Sequence, residues 1–285
     1  MHTDKSLAPY TSYKIGGPTA LWVAPQTEAA VGRVLEIIYA DEVPLFVLGR
    51  GSNVLISDRG WHGVTLYLGE NLSGWEFQKY EADVLAGTRL MDMVRSAVGK
   101  GLAGMELLAG IPGGVGGALR MNAGAFGQEI ESVTAAVSGF RRNGSPFQAD
   151  RSRINFSYRK APDLEDVIIT AARLRFEKSD AAVLQARMED ILAMRIKKQP
   201  LKFPSCGSVF KRPAGYYAGA LIEEAGLKGD RIGGAMVSRK HGGFILNVAN
   251  ATAADVYALI RLIEEKVFER FGVRLEREVK LIGEF

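Results

Sequence analysis

GIPGGVGGALRMNAGAFG, residues Gly110 to Gly127, places seven glycines in eighteen positions. Glycine reaches positive φ angles and carries no Cβ, so successive amide N–H groups can converge on an anion such as a pyrophosphate. A flexible linker is the alternative. Linkers are rich in serine and poor in large apolar side chains, whereas Ile111, Val115, Leu119, Met121 and Phe126 are interleaved here. The stretch therefore reads as a fixed loop that cradles a ligand.

A second glycine turn, Gly49-Arg50-Gly51-Ser52-Asn53, lies between two apolar runs, Val43 to Leu48 and Val54 to Ile56, both read as strands. A Rossmann unit needs a helix after its glycine turn, and a P-loop needs Gly-Lys-Ser/Thr; neither is present. A phosphate bound here would sit on backbone amides, with Ser52 and Asn53 adding side-chain donors. Gly-Ser-Asn is equally good chemistry for an ordinary hairpin.

With 285 residues, 47% of them hydrophobic, the chain can bury a real core and form two or three domains. The net charge of +4 favours anionic partners, but the Lys and Arg residues form no basic block, so nucleic acid is not indicated. One cysteine, Cys206, excludes an internal disulfide, and dispersed His2, His62 and His241 argue against a metal site. That usage suits a reducing compartment, the cytoplasm. No apolar run reaches the ~18 residues of a membrane span and no signal-peptide pattern is visible, so no membrane partner is expected.

Helical spacing predicts a helix after Thr27 (Val31, Val34, Leu35, Ile38) and one capped by Gly87-Thr88 (Leu90, Val94, Ala97, Val98). It predicts two more, over Ser179 to Lys197 and through Val256, Leu259, Ile260, Ile263 and Val267. Strands are expected at Leu21 to Val23, Val64 to Leu68, Trp75 to Tyr80, Val84 to Ala86, Val133 to Phe140 and Val167 to Phe176, with a hairpin turn at Arg141 to Gly144. Val273 to Val279 alternates like a strand, which puts Glu276 and Glu278 on one face. The polar run Lys197 to Pro200 is the expected domain boundary, giving segments 1–66, 67–198 and 199–285.

Taken in order, GRGSNVL (Gly49 to Leu55), the Gly110 to Gly127 loop, Tyr158-Arg159, SCGSVFKRP (Ser205 to Pro213) and LEREV (Leu275 to Val279) resemble the UDP-N-acetylenolpyruvoylglucosamine reductase family. The likeness is collinear from Tyr13 to Gly283. It implies an α+β protein: an FAD-binding fold of the vanillyl-alcohol-oxidase (PCMH) type in two subdomains, 1–66 and 67–198, and a C-terminal α+β substrate-binding domain, 199–285. The implied activity is reduction of the enolpyruvyl ether of UDP-N-acetylglucosamine to UDP-N-acetylmuramate, with NADPH as reductant and non-covalent FAD, in bacterial peptidoglycan synthesis. A cytoplasmic monomer acting on a small-molecule substrate is expected.

The same resemblance assigns residues. Arg159 matches the catalytic arginine, a fixed cation for the substrate carboxylate. Ser208 matches the proton donor and Glu278 the acid beside it, with Glu276 its rival on the same face. The expected FAD contacts are Gly49, Gly51, Ser52, Asn53 and Val54, then Gly110, Ile111, Pro112, Gly113, Gly114, Gly116, Asn122, Ala123 and Gly124. Tyr158, Lys211, Arg212, Tyr216 and Tyr217 are candidates for substrate. Cys206, two residues before Ser208, reads as a bystander thiol. The sequence departs from the family pattern at Ala161, where a serine is common, and its short Pro213 to Leu221 segment marks the shorter subtype. Another FAD oxidase or dehydrogenase of the same fold, or a non-enzymatic nucleotide binder, remains the competing expectation.

Overall fold

Thr27 adopts extended geometry and its hydroxyl accepts the amide of Ala30 at 3.2 Å, which starts helix α1 (Glu28–Ala40) where the spacing predicts it. The computed structural model describes residues 1–285 and divides into two compact units. The first comprises Met1, residues 22–50 and residues 63–195. The second is assembled from residues 2–21, 51–62 and 196–285. Both segments expected as flavin subdomains feed the first unit, and 1–66 also gives two stretches to the second.

In the first unit a five-stranded antiparallel sheet runs in the order Pro146–Asp150, Thr134–Arg141, Val167–Arg175, Glu81–Leu85, Trp75–Gln78. Its central strand, VIITAARLR, is mostly buried, as β-branched and aliphatic residues there demand. Helices α2 (Leu90–Gly99), α3 (Val115–Arg120) and α4 (Ala181–Lys198) also belong to this part of the chain. Leu90, Met93, Val94 and Ala97 of α2, Val115 and Leu119 of α3, and Leu184, Met188 and Ile191 of α4 share one core with the sheet.

Two expectations here are corrected. Thr88 does not cap α2: its hydroxyl exchanges hydrogen bonds with Gly74 N and O, both 2.9 Å, and Arg89 precedes the helix without a side-chain cap. The first amide of α2 donates instead to Gly113 O at 3.0 Å. The glycine-rich stretch, read as loop throughout, contains α3, two of whose six residues are glycine. Glycine disfavours helix by about 1 kcal/mol against alanine, but here Gly116 lies against Ala86, and tertiary packing overrides propensity.

In the second unit Val54–Ile56 pairs in parallel with Lys280–Ile282. Arg231–Ile232, Ala235–Val237 and Ile245–Asn247 form a three-stranded antiparallel sheet. Helices α5 (Ala218–Glu224) and α6 (Ala253–Phe271) bury Leu221, Ile222, Val256, Leu259, Ile260 and Ile263 in a second core with Tyr13, Leu55 and Val209. α6 starts in a Thr252–Asp255 capping box, and Asp58 adds a carboxylate that accepts from Ala253 N at 2.8 Å and Ala254 N at 3.0 Å. No helix is long and apolar enough to cross a membrane.

Val273 to Val279 is not the regular alternating strand expected of it. Arg277 alone bridges Phe210, and the amides of Glu278 and Val279 both converge on Val209 O, at 2.8 and 3.3 Å. Two residues facing one is a β-bulge, which breaks the ladder and re-aims side chains.

Candidate functional site

In the first unit the four residues Ala86 to Arg89 tie the glycine loops together. Gly116 N donates to Ala86 O at 2.8 Å and Val115 N to Thr88 O at 3.0 Å, while Arg89 and Gly114 form an antiparallel bridge. On the other side Arg50 Nε donates to Gly87 O at 3.0 Å. The glycines sort by what a Cβ would meet. On Gly87 it would lie 1.8 Å from Gly69 O, on Gly114 2.9 Å from Ala86 O, and on Gly116 2.7 Å from Ala86 Cβ. On Gly49 and Gly117 it would meet nothing within 4 Å. The first group lets the chain pack against itself; the second leaves room for another molecule.

Asn122 is fully buried, with φ +40°, and its side chain is engaged at both ends. Its amide donates to Glu129 Oε2 at 2.7 Å and Ser157 O at 3.3 Å, and its carbonyl accepts from Glu131 N at 3.3 Å. It holds the loop to neighbouring segments. A Cβ on Gly124 would lie 2.6 Å from Glu129 Cγ, and Gly124 O accepts from Arg159 Nη2 at 3.0 Å. Arg159 thus reaches the loop directly. It sits at φ +57° in a tight turn closed by reciprocal bonds between Ser157 and Lys160, 2.9 and 3.0 Å. A non-glycine residue in the left-handed region is held there by its surroundings at some cost, a feature that gathers at functional sites. Tyr158 is 47% exposed with its ring 4.9 Å from the Arg159 guanidinium carbon, and Ala161 is buried.

Arg195 lies on the apolar stripe of α4 with Leu184, Met188 and Ile191. It is 7% exposed, and its Nε and Nη2 are buried without a hydrogen-bond partner. Its stem lies where a Cβ on Gly110 would come within 2.6 Å of Cδ, and its guanidinium is 5.5 Å from the Phe126 ring. Burial lowers its pKa from the ordinary value. An arginine on an otherwise apolar stripe is the signal that marks it, because a buried cation demands a partner.

In the second unit Ser208 bridges Phe244 in backbone pairing, and the next amide, Val209 N, donates to Gly243 O at 2.9 Å. Its hydroxyl is half-buried and hydrogen-bonded to no protein group. The bulge at Glu278 faces Val209, so structure brings Ser208 and Glu278 onto adjacent segments. Asn53 fixes the bulge: its Nδ2 donates to Glu278 O at 3.1 Å. The amides of Gly51, Ser52 and Asn53 themselves donate to no protein acceptor. Cys206 is buried and its thiol is pushed up to about 12, by burial first, with the Glu278 carboxylate adding to the shift. A thiol so protonated is a poor nucleophile.

Glu276, the rival carboxylate, is exposed and paired with Lys211 Nζ at 2.5 Å. The bulge leaves Glu278 half-buried near Cys206, so the two acids have different surroundings. Arg212 stacks over Tyr217 with 4.0 Å between guanidinium carbon and ring centroid; Tyr216 and Tyr217 are 48% and 62% exposed. No group of three metal-ligating side chains is present.

Residues 19–141 match the family model of an FAD binding domain, and residues 199–282 match that of the UDP-N-acetylenolpyruvoylglucosamine reductase C-terminal domain. A curated protein of that reductase name from Listeria welshimeri is 42% identical over 282 residues, covering 99% of this chain and 95% of its own length. Another so named, from Syntrophomonas wolfei, is 40% identical over 99% of this chain and 94% of its own length. The chain belongs to the UDP-N-acetylenolpyruvoylglucosamine reductase family. A solved reductase from Thermus caldophilus superposes with a TM-score of 0.82 at 36% identity, covering 98% of both chains.

Membership in the UDP-N-acetylenolpyruvoylglucosamine reductase family bears out the fold class, an FAD-binding α+β fold followed by a C-terminal α+β domain, and with it an FAD-dependent oxidoreductase. The donors in this structure suit FAD. The unbonded amides of Gly51 to Asn53 are hydrogen-bond donors for an oxyanion, and the orphaned Nε and Nη2 of Arg195 require an acceptor beside Gly110.

Proposed function

We propose that the chain reduces the enolpyruvyl ether of UDP-N-acetylenolpyruvoylglucosamine to the lactyl ether of UDP-N-acetylmuramate, with non-covalent FAD and with NADPH as reductant. The observation that carries this reading is Ser208: a half-buried hydroxyl without a protein partner, adjacent to the Glu278 bulge, in a chain of this family. FAD, when bound, would supply the hydride chemistry that links NADPH to the substrate's methylene carbon.

Hydride addition leaves negative charge on the adjacent substrate carbon and its carboxylate. Arg159, pre-set by its left-handed turn and anchored to Gly124 O, supplies a permanent cation for that charge. Ser208 gives its hydroxyl proton to the carbon and recovers one from solvent, so one hydride and one proton are added. Serine is a weak acid, yet a carbanion is basic enough to take its proton, so placement outweighs pKa. Glu278 hydrogen-bonds the charged substrate or orients the donor. Gly51 to Val54 and Gly110 to Gly114 hold the cofactor, with Asn122 shaping the loop from behind. Lys211, Arg212, Tyr216 and Tyr217 are assigned to the substrate's nucleotide, and Tyr158 to the substrate. Segments 1–66, 67–198 and 199–285 are assigned as two flavin subdomains and a substrate domain. To the same reading we assign a monomer working in the cytoplasm and serving cell-wall synthesis, shape and division.

The test is the second half-reaction without oxygen. Protein-bound FAD reduced by NADPH should regain its yellow colour on adding the enolpyruvyl substrate; a flavin that stays reduced would sink the reading in favour of a different flavin oxidoreductase.

A further inference from the structure

Two arginines beside the Ala86 to Arg89 segment have more positive charge than the protein neutralises. Arg50 is pinned by Nε to Gly87 O at 3.0 Å, and its side chain is only 15% exposed. Its ion-pair partner, Glu70, is 4.0 Å from Nη1 and 71% exposed, where such a pair contributes little. Arg89 stands two residues past Gly87 and bridges Gly114 through its backbone, while its side chain is exposed and makes no hydrogen bond or ion pair. The two cations feel each other: the Arg50 pKa is lowered, by burial first and by Arg89 next, with Tyr67, Glu70 and Asp92 offsetting part of this.

The surroundings point to an anion rather than to a structural role. The amides of Gly113 and Gly114 donate to no protein acceptor, and a Cβ on Gly49 would meet nothing within 4 Å. A half-buried guanidinium with only an exposed carboxylate near it, beside unbonded backbone amides, suits a bound counter-charge. Two guanidinium groups match the two negative charges of a diphosphate diester, and two free amides add fixed donors.

We propose that Arg50 and Arg89 clamp the diphosphate of FAD, with the Gly113 and Gly114 amides as further donors. The inference rests on the flavin reading above. The substrate's uridine diphosphate offers the same chemistry, but both arginines lie within residues 19–141, the stretch that matches an FAD binding domain.

The full chain, stripped of flavin, is titrated with FAD, with riboflavin, which has no phosphate, and with UDP. Arg89→Gln is the cleaner variant because that side chain bonds nothing in the fold, so its thermal midpoint without flavin should match wild type. Its Kd for FAD should rise about tenfold, as expected for one charge-assisted bond, with riboflavin and UDP unchanged. The salt dependence of FAD binding should also flatten. Arg50→Lys keeps the charge but not the Nε bond and should preserve the salt dependence; Arg50→Gln should behave as Arg89→Gln. A wild-type FAD Kd in Arg89→Gln, an equal loss for riboflavin, or a loss for UDP alone would overturn the clamp. Wild-type protein that takes up no FAD sinks both readings, whereas FAD uptake undiminished by Arg89→Gln sinks this one alone.

Discussion

Asn53 donates its side-chain amide to the main-chain carbonyl of Glu278 at 3.1 Å, and its own carbonyl accepts from Lys280 N at 3.0 Å. One residue of a glycine turn therefore clamps both sides of the bulge that carries the candidate acid. Asn53→Ala should lower unfolding free energy by about 1 kcal/mol, the usual net value of one such bond, as read from urea melts. It should also lower kcat more than it raises KM for the enolpyruvyl substrate, since Glu278 is displaced rather than lost.

Ser208→Ala should accept hydride from NADPH at the wild-type rate but slow reoxidation by the enolpyruvyl substrate at least ~10²-fold, the scale of a lost proton donor. Stopped-flow absorbance separates the two steps. An unimpaired second step would remove Ser208 from its role.

The two carboxylates of the LEREV stretch should respond differently. Glu276 is exposed and bound only to Lys211, so Glu276→Gln should leave kcat within about twofold, in keeping with the small value of surface ion pairs. Glu278→Gln should lower it by about 10²-fold. Steady-state rates of the two variants decide between the two acids.

Gly116 and Gly117 are neighbours in α3 with opposite surroundings. Gly116→Ala forces a methyl to 2.7 Å from Ala86 Cβ, an overpacking that costs about 1–3 kcal/mol. Gly117→Ala meets nothing within 4 Å and should hold or raise stability by up to about 1 kcal/mol through helix propensity. Thermal unfolding of the flavin-free chains reads both.

Cys206 gives a pH dependence. Its thiol is about 9 when unperturbed and about 12 when folded, so folding holds its proton more tightly. The stability this gives is present in full below pH 9 and is lost as pH rises toward 12, at up to about 1.4 kcal/mol per pH unit. Tyr13, buried beside it and also raised well above its usual value, acts in the same direction. Urea midpoints of wild type and Cys206→Ala between pH 8.5 and 10.5 (about the lower half of that window) should converge as pH rises. The folded thiol should also resist iodoacetamide at neutral pH.

Much of this was legible in the sequence. Apolar spacing located α1, α2, α4 and α6, and the strands flanking Gly49 to Asn53, because each buries one periodic face in a core. α3 was missed because Gly116 answers to Ala86, a residue thirty positions earlier. The bulge at Glu278 was missed for a similar reason: it exists only through Val209 O and Asn53, contacts that no local pattern announces. The roles argued for Arg50, Arg89 and Arg195 rest on what surrounds each guanidinium in the fold, which spacing along the chain does not carry.

The scattered make-up of the second unit has a bearing on biosynthesis. Residues 63–195 are one uninterrupted run that can collapse early as the nascent polypeptide emerges, since domains form in order of synthesis. Residues 51–58 cannot settle then, because the helix cap that Asp58 provides and the strand that Val54–Ile56 joins involve residues 253–254 and 280–282. Until the ribosome has delivered those distant pieces, the Gly51 to Asn53 amides have no fixed geometry, so flavin capture through them must be a late event in maturation.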